Sequence, residues 1–320
     1  MKRASLLLLS GGALLFIALI LSHGIAAVSA TLALAGWGII LVALFHALPL
    51  AIDAAAISVL FPRRPLRGSW LDVILARWLG ESANSLMPFG QVAGPVVMAR
   101  HLWRRGLPMQ DAVAAITVST TLQAFAQLAF ALMGVALLGF HAQLHLSSAL
   151  TLPLVVASAV VALTATAFYV LQQRGLFARS LRVIARIAAR HDWSALLDRA
   201  EAIDVAIRDT RSTPRVSACF SLNLLGWIVG TGEVYLILRL LSAPLSWSIA
   251  LLLESVGQAI RGAAFAVPGA LGVQEGGYLL LAPLAGITPD TALALSLVKR
   301  AREILLGVPG LVVFHASERN

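Results

Sequence analysis

Glu81-Ser82-Ala83-Asn84-Ser85-Leu86-Met87-Pro88-Phe89-Gly90-Gln91-Val92-Ala93-Gly94 decides the fold, because it returns in altered form. The second copy runs from Glu254-Ser255 to Pro268-Gly269-Ala270-Leu271-Gly272-Val273-Gln274-Glu275-Gly276. Each copy sets acids and amides beside Pro and Gly in apolar surroundings. The echo continues: Gly106-Leu107-Pro108 leads into Asp111-Ala112 and a long apolar run, and Gly286-Ile287-Thr288-Pro289-Asp290 leads into another. Paired, broken hydrophobic segments in two halves of one chain are the sequence mark of a transporter-like site.

The surrounding composition places both copies in a membrane. Of 320 residues, 59% are hydrophobic and 12% charged, with mean hydropathy +0.88, more apolar surface than a soluble core can hide. The formal charge of +9 comes almost wholly from Arg and orients a membrane chain. No basic, aromatic groove for nucleic acid is readable outside the spans. The single Cys219 offers neither an intramolecular disulfide nor a cysteine metal cluster, and no cofactor motif is present.

A span needs about 20 apolar residues, which gives six full helices near residues 4 to 22, 31 to 59, 110 to 138, 148 to 172, 216 to 241 and 290 to 314. Residues 71 to 100 and 247 to 286, interrupted by Pro and Gly, read as re-entrant hairpins. The fold class is therefore an all-α polytopic membrane protein, 1-320 as one integral domain. Its first repeat spans about 71–138, a cytoplasmic connector about 173–215, and a second repeat about 247–314. Lys2-Arg3 before an apolar run also fits a signal peptide, but the run's length and the many later spans favour a retained first helix.

Lys2-Arg3, Arg63-Arg64, Arg67, Arg104-Arg105 and the stretch from Arg174 to Arg215 all fall on one side of this layout. They assign that side, with both termini, to the cytoplasm. The first hairpin then enters from the cytoplasm and the second from the opposite face, so the repeats are inverted. Arg239, near the outer end of its span, either snorkels to the interface or lines a cavity. Arg174, Arg179, Arg182, Arg186 and Arg190 oppose Phe177, Leu181, Ile184 and Ile187 on an amphipathic surface helix, with a partner helix from Asp192 to Asp209. A plain connector explains that segment as well as a lipid-sensing one.

Ionisable groups at membrane depth need a reason. Glu254, Gln258 and Arg261 recur at i, i+4 and i+7, on one stripe of a helix where acid and base can neutralise each other. Lys299 and Glu303 repeat the spacing, beside Arg300 and Arg302. Either these charges form an internal packing network or they line a lipid-headgroup cavity, with Arg binding a phosphate or polyol through its fork of donors. Glu81, Asn84 and Gln91 from the first hairpin and Gln274 and Glu275 from the second complete the candidate lining. Asp53 and Glu233 are weaker candidates, placed near an interface. Gly90 and Gly94, like Gly272 and Gly276, serve either close helix packing or an opened backbone.

The run Gly80 to Pro88 with Gln91-Val92-Ala93-Gly94, the segment Pro268 to Gly276, and Lys299-Arg300-Ala301-Arg302-Glu303 resemble the flippase-like membrane domain of lysylphosphatidylglycerol synthases and their stand-alone relatives. The nearest likeness is to the hopanoid-biosynthesis-associated member. Ala270 interrupts the family's Pro-Gly-Leu-Gly-Val-Gln-Glu-Gly motif. The resemblance covers nearly the whole chain and implies a bacterial inner-membrane protein that handles lipid between leaflets, with membrane lipids and lipid or hopanoid biosynthesis enzymes as partners. With the chain stopping at Asn320, the synthases' soluble aminoacyl-transferase domain is not expected. A lipid translocase without enzymatic activity is the reading that remains. Two alternatives stay open: an intramembrane lipid-modifying enzyme such as an isoprenoid-lipid phosphatase, and a non-transporting partner of lipid-synthesis enzymes. Neither a nucleophile beside the second hairpin's turn nor a trusted His-acid spacing supports the enzyme.

Overall fold

The computed structural model describes residues 33–61, 70–87, 93–140, 194–210, 213–243, 245–264 and 270–319, together with positions 29, 30, 159, 163, 166, 167, 170 and 267. Among these residues every regular element is helical, as expected for a polytopic helical membrane protein. The spans read at 4 to 22 and 148 to 172, the amphipathic run 174 to 190 and Gln91 lie outside the described residues, the isolated positions apart.

Nine helices are described. α1 is Gly38–Ser58, α2 Trp70–Leu86, α3 Ala93–Arg104, α4 Met109–Phe140, α5 Ser194–Thr210, α6 Thr213–Leu240, α7 Trp247–Ala263, α8 Val273–Ala285 and α9 Pro289–Arg319. α1 and long stretches of α4 and α6, Met109–Gly134 and Pro214–Leu240, are long and apolar enough to cross a membrane. α9, at 31 residues, has the length but carries four charges between Lys299 and Glu303. At 1.5 Å per residue α2, α3, α7 and α8 reach only about 18 to 26 Å, short of a ~30 Å hydrocarbon core.

The short helices come in pairs that turn back on themselves. In the first pair the space beside Gly80 is filled by Met98 and the Gly94 carbonyl, while Asn84 accepts from the Gly94 amide at 2.7 Å. In the second, Gly257 lies against Tyr278 and Gly277 against Ile260. α8 starts at Gly272, whose φ of +75° suits glycine, and the Glu275 carboxylate accepts from the Gly272 amide at 2.7 Å. Ala270, the residue that interrupts the motif, has φ +49°, unfavourable for a side chain, and its carbonyl accepts from Arg300 at 3.2 Å. Ala270→Val, with a branched Cβ at that φ, is expected to lower thermal stability in detergent by about 1–3 kcal/mol, whereas Ala270→Gly should not lower it.

Each pair packs on the long helix that follows the other pair: α7 lies on α4, and α9 lies on α2. The two contacts share a device. A Cβ added at Gly134 of α4 would overlap the Ser255 hydroxyl, and one added at Gly310 of α9 would overlap that of Ser82. These serines belong to the echoed Glu-Ser pairs. Gly134→Ala and Gly310→Ala are each expected to destabilise by about 1–3 kcal/mol, because the facing serine sits on a rigid helix. Thermal unfolding of the two variants checks this.

Two apolar clusters flank the centre. One joins Val42 of α1 and Val234 of α6 to α7, α8 and α9, and the other joins Ala54 of α1 and Cys219 of α6 to α2, α3, α4 and α5. The stretches of α1 and α6 between the clusters, residues 46–53 and 226–233, face neither. They line a cavity.

Candidate functional site

The cavity has a volume of about 420 Å³ and receives walls from both helix pairs and from α1, α4, α6 and α9. The α1, α2, α6 and α7 walls are each one face of a helix, with lining residues recurring three or four apart. α1 contributes His46, Pro49, Leu50 and Asp53; α6 contributes Gly226, Trp227, Gly230 and Glu233; α7 contributes Glu254, Gln258, Arg261 and Gly262. Arg77, Glu81, Asn84 and Ser85 come from α2, Gln123 and Gln127 from α4, Arg302 and Glu303 from α9. Pro49, Leu50, Pro95, Met98, Ala124 and Trp227 add apolar surface between these polar groups, so one space is lined by charged and apolar side chains together. Its size is that of a small-ligand site.

The charges are cross-linked between helices. Arg302 donates through Nη2 and Nε to Glu233 Oε1 at 3.0 and 3.2 Å and through Nη1 to Glu81 Oε1 at 3.3 Å. His46 closes the ring, with Nδ1 2.7 Å from Glu233 Oε2 and Nε2 2.7 Å from Glu81 Oε1. Arg77 pairs with Asp53 at 2.7 Å and reaches Glu81 at 3.4 Å, and Gln123 donates to Asp53 at 3.2 Å. On the far side Arg261 Nη1 donates to Glu303 Oε1 at 2.5 Å and to Gln274 at 3.1 Å. Lys299 meets Glu254 at 2.5 Å, and Gln258 donates to the same carboxylate at 2.8 Å.

A family model for the lysylphosphatidylglycerol synthase TM region matches residues 4–310. The chain belongs to that family. Comparisons with curated proteins and with solved structures give no match. Membership in the lysylphosphatidylglycerol synthase TM family ties the polar cavity to a membrane protein concerned with lipids.

Glu81, Asn84, Glu254, Gln258, Arg261, Arg302 and Glu303 of the expected lining do surround the cavity. Gln274, Glu275, Lys299 and Arg300 stand behind its wall. Arg300 bonds Glu275 at 3.1 Å and Glu303 at 3.2 Å, Gln274 donates to Ser296 at 2.8 Å, and Lys299 is 1% exposed. These residues hold the lining acids and bases in place from outside. The two expected same-helix pairs do not form: Glu254 pairs with Lys299 of α9 rather than with Arg261, and Glu303 pairs with Arg261 of α7 and with its neighbour Arg300 rather than with Lys299. Pairing across helices costs less than leaving a stripe's charge unanswered at a contact, and it binds helices that sequence alone does not join.

Asp53 and Glu233, placed near an interface by the sequence, are corrected to central positions. Glu233 is 3% exposed and bridges His46 and Arg302. Arg239 lies outside the cavity, exposed, donating to the Tyr235 hydroxyl at 2.6 Å with its guanidinium 5.2 Å from that ring. Among the cavity residues, sequence reasoning missed His46, Arg77, Gln123, Gln127 and Trp227. The i, i+7 pair His46/Asp53 and the i, i+4 pairs Arg77/Glu81 and Gln123/Gln127 carry the same stripe signal that revealed Glu254-Gln258-Arg261.

Proposed function

We propose that this chain moves or presents a membrane lipid between leaflets, and that the cavity receives the lipid's polar headgroup. The observation that carries the reading is the joining of charged and apolar side chains around one space of about 420 Å³ inside a membrane-lipid family member. A headgroup needs donors and acceptors; the first carbons of its tails need Pro49, Leu50, Met98 and Trp227. Arg261 makes both its bonds through Nη1, so among the described residues Nη2 and Nε are left for a phosphate or hydroxyl oxygen. The reciprocal packing of α7 on α4 and α9 on α2 supports two repeats working against each other around this site, with the pairs entering from opposite faces of an inner membrane.

A hopanoid or a phospholipid is the cargo this reading favours. It also treats the chain as a translocase rather than an enzyme. Deleting the gene in its native host and comparing lipids of the separated membranes by mass spectrometry tests that. The expected result is an unchanged lipid total with one lipid depleted in the membrane or leaflet to which it is delivered. Loss of the lipid itself with a precursor accumulating would replace the reading with a lipid-modifying enzyme or a biosynthetic partner.

A further inference from the structure

His46 has carboxylate oxygens 2.7 Å from both ring nitrogens, Glu233 on one side and Glu81 on the other. An ionised carboxylate only accepts, and a neutral imidazole has one N–H to give. Two such short contacts therefore require one proton more than a neutral ring and two carboxylates contain. Arg302 bonds both carboxylates and Arg77 reaches Glu81, which keeps the acids ionised and leaves the extra proton on the ring. Arg302 Nη1 is also 3.3 Å from His46 Nε2. Were Nε2 bare to accept from it, its lone pair would face Glu81 Oε1 at the shorter 2.7 Å.

Charge balance gives the same answer. The charged groups of the cavity and of the wall behind it are Asp53 on the ring's own helix, Arg77 and Glu81 from α2, Glu233 from α6, Glu254 and Arg261 from α7, Glu275 from α8, and Lys299, Arg300, Arg302 and Glu303 from α9. Six carboxylates face five permanent cations, so the cluster balances with one added proton, which the two 2.7 Å contacts place on the His46 ring. The low dielectric of such an interior makes an unbalanced charge costly. Beside the cavity, Asp53, Arg77 and Gln123 also line a pocket of about 10 Å³ with Ser119 and Asn223, room and polar groups enough for one water next to the cluster.

We propose that His46, clamped between Glu81 and Glu233, is an exchangeable proton-binding site and that the proton is a co-ligand of the cavity. Loaded, the imidazolium draws α1, α2 and α6 together about Arg302 of α9. Released, it leaves two carboxylates with one N–H between them, and the wall loosens. The proton site stands on this geometry alone; its coupling to lipid movement rests on the headgroup reading.

Solid-state NMR of protein carrying 15N-histidine, in bilayers of phosphatidylethanolamine and phosphatidylglycerol, reads the ring directly. The His46 signals are assigned by their loss in His46→Gln. Expected are two protonated ring nitrogens at neutral pH, one of which loses its proton when the pH is raised. Glu233→Gln, which keeps the ring but removes one clamp, should lower the midpoint of that loss by about one unit or more and provides the assignment should His46→Gln not fold. A cysteine introduced as Ser85→Cys on the cavity wall should react several-fold faster with a membrane-impermeant maleimide across the same pH range, native Cys219 being buried. A His46 ring neutral at pH 7 would overturn the proposal, as would labelling that follows only the thiol's own ionisation in a Ser85→Cys/His46→Gln control and in Ser85→Cys alike. Neither readout needs a transported lipid, so failure of the headgroup reading leaves both outcomes standing.

Discussion

Arg302→Gln is expected to cost about 3–5 kcal/mol, the penalty for breaking a buried ion pair and stranding its partners. Arg302 is 5% exposed and its guanidinium spans Glu233 and Glu81, joining α9 to α6 and α2. Without it Glu233 keeps only His46 among its ion-pair partners in the described residues, and Glu81 keeps His46 and the longer contact to Arg77. Against a total stability of about 5–15 kcal/mol, such a loss should appear as a sharply lower yield and an early thermal transition in detergent. Arg302→Lys should recover little, because one ammonium cannot reach both carboxylates in the plane a guanidinium covers. Arg302→Gln with Glu233→Gln should recover a clear part, since the double change removes the stranded acid together with its partner. A cycle of the two single variants and the double checks the coupling; an additive double variant would deny the pair.

The second large effect separates the cavity from the fold. Gly230 lies on the α6 wall, and a Cβ built there meets no atom within 4 Å. Gly230→Phe therefore enters open space, and replacing glycine by phenylalanine inside a helix gains a few tenths of a kcal/mol of propensity. Its ring fills room that a headgroup needs. Lipid retention should fall at least about tenfold, equivalent to 1.4 kcal/mol, with no fall in melting temperature. Gly226, one turn earlier, gives the contrast: a Cβ there lies 2.7 Å from an Asp53 carboxylate oxygen, so Gly226→Phe should damage stability and binding together.

The helices were legible because each obeys a local rule. Long apolar runs mark α1, α4 and α6, Pro and Gly occur in sequence at 88–90 and 268–272 between the members of each short pair, and Asp290 after Pro289 opens α9. The stripe Glu254-Gln258-Arg261 was legible for the same reason. Its partners were not. His46 reaches Glu233 across 187 residues of sequence and Arg302 across 256, and no periodicity within one helix reports such a meeting. A single acid such as Glu233, with no second charge on its own stripe, therefore looked peripheral. Lys299 and Arg300 line no wall for a similar reason: Lys299 is paired with Glu254 at 2.5 Å and Arg300 with Glu275 at 3.1 Å and Glu303 at 3.2 Å, and the pairings to Glu254 and Glu275 are between helices, which spacing along α9 does not report.

The account's central claim is that the cavity holds a lipid headgroup. The most direct measurement is native mass spectrometry of the protein purified from its own membrane in mild detergent, beside the Gly230→Phe variant. Expected is one headgroup class bound to the unaltered protein well above its share of the bulk membrane, and lost from a variant that melts no earlier. Bound lipid that mirrors the bulk membrane equally in both proteins would contradict it.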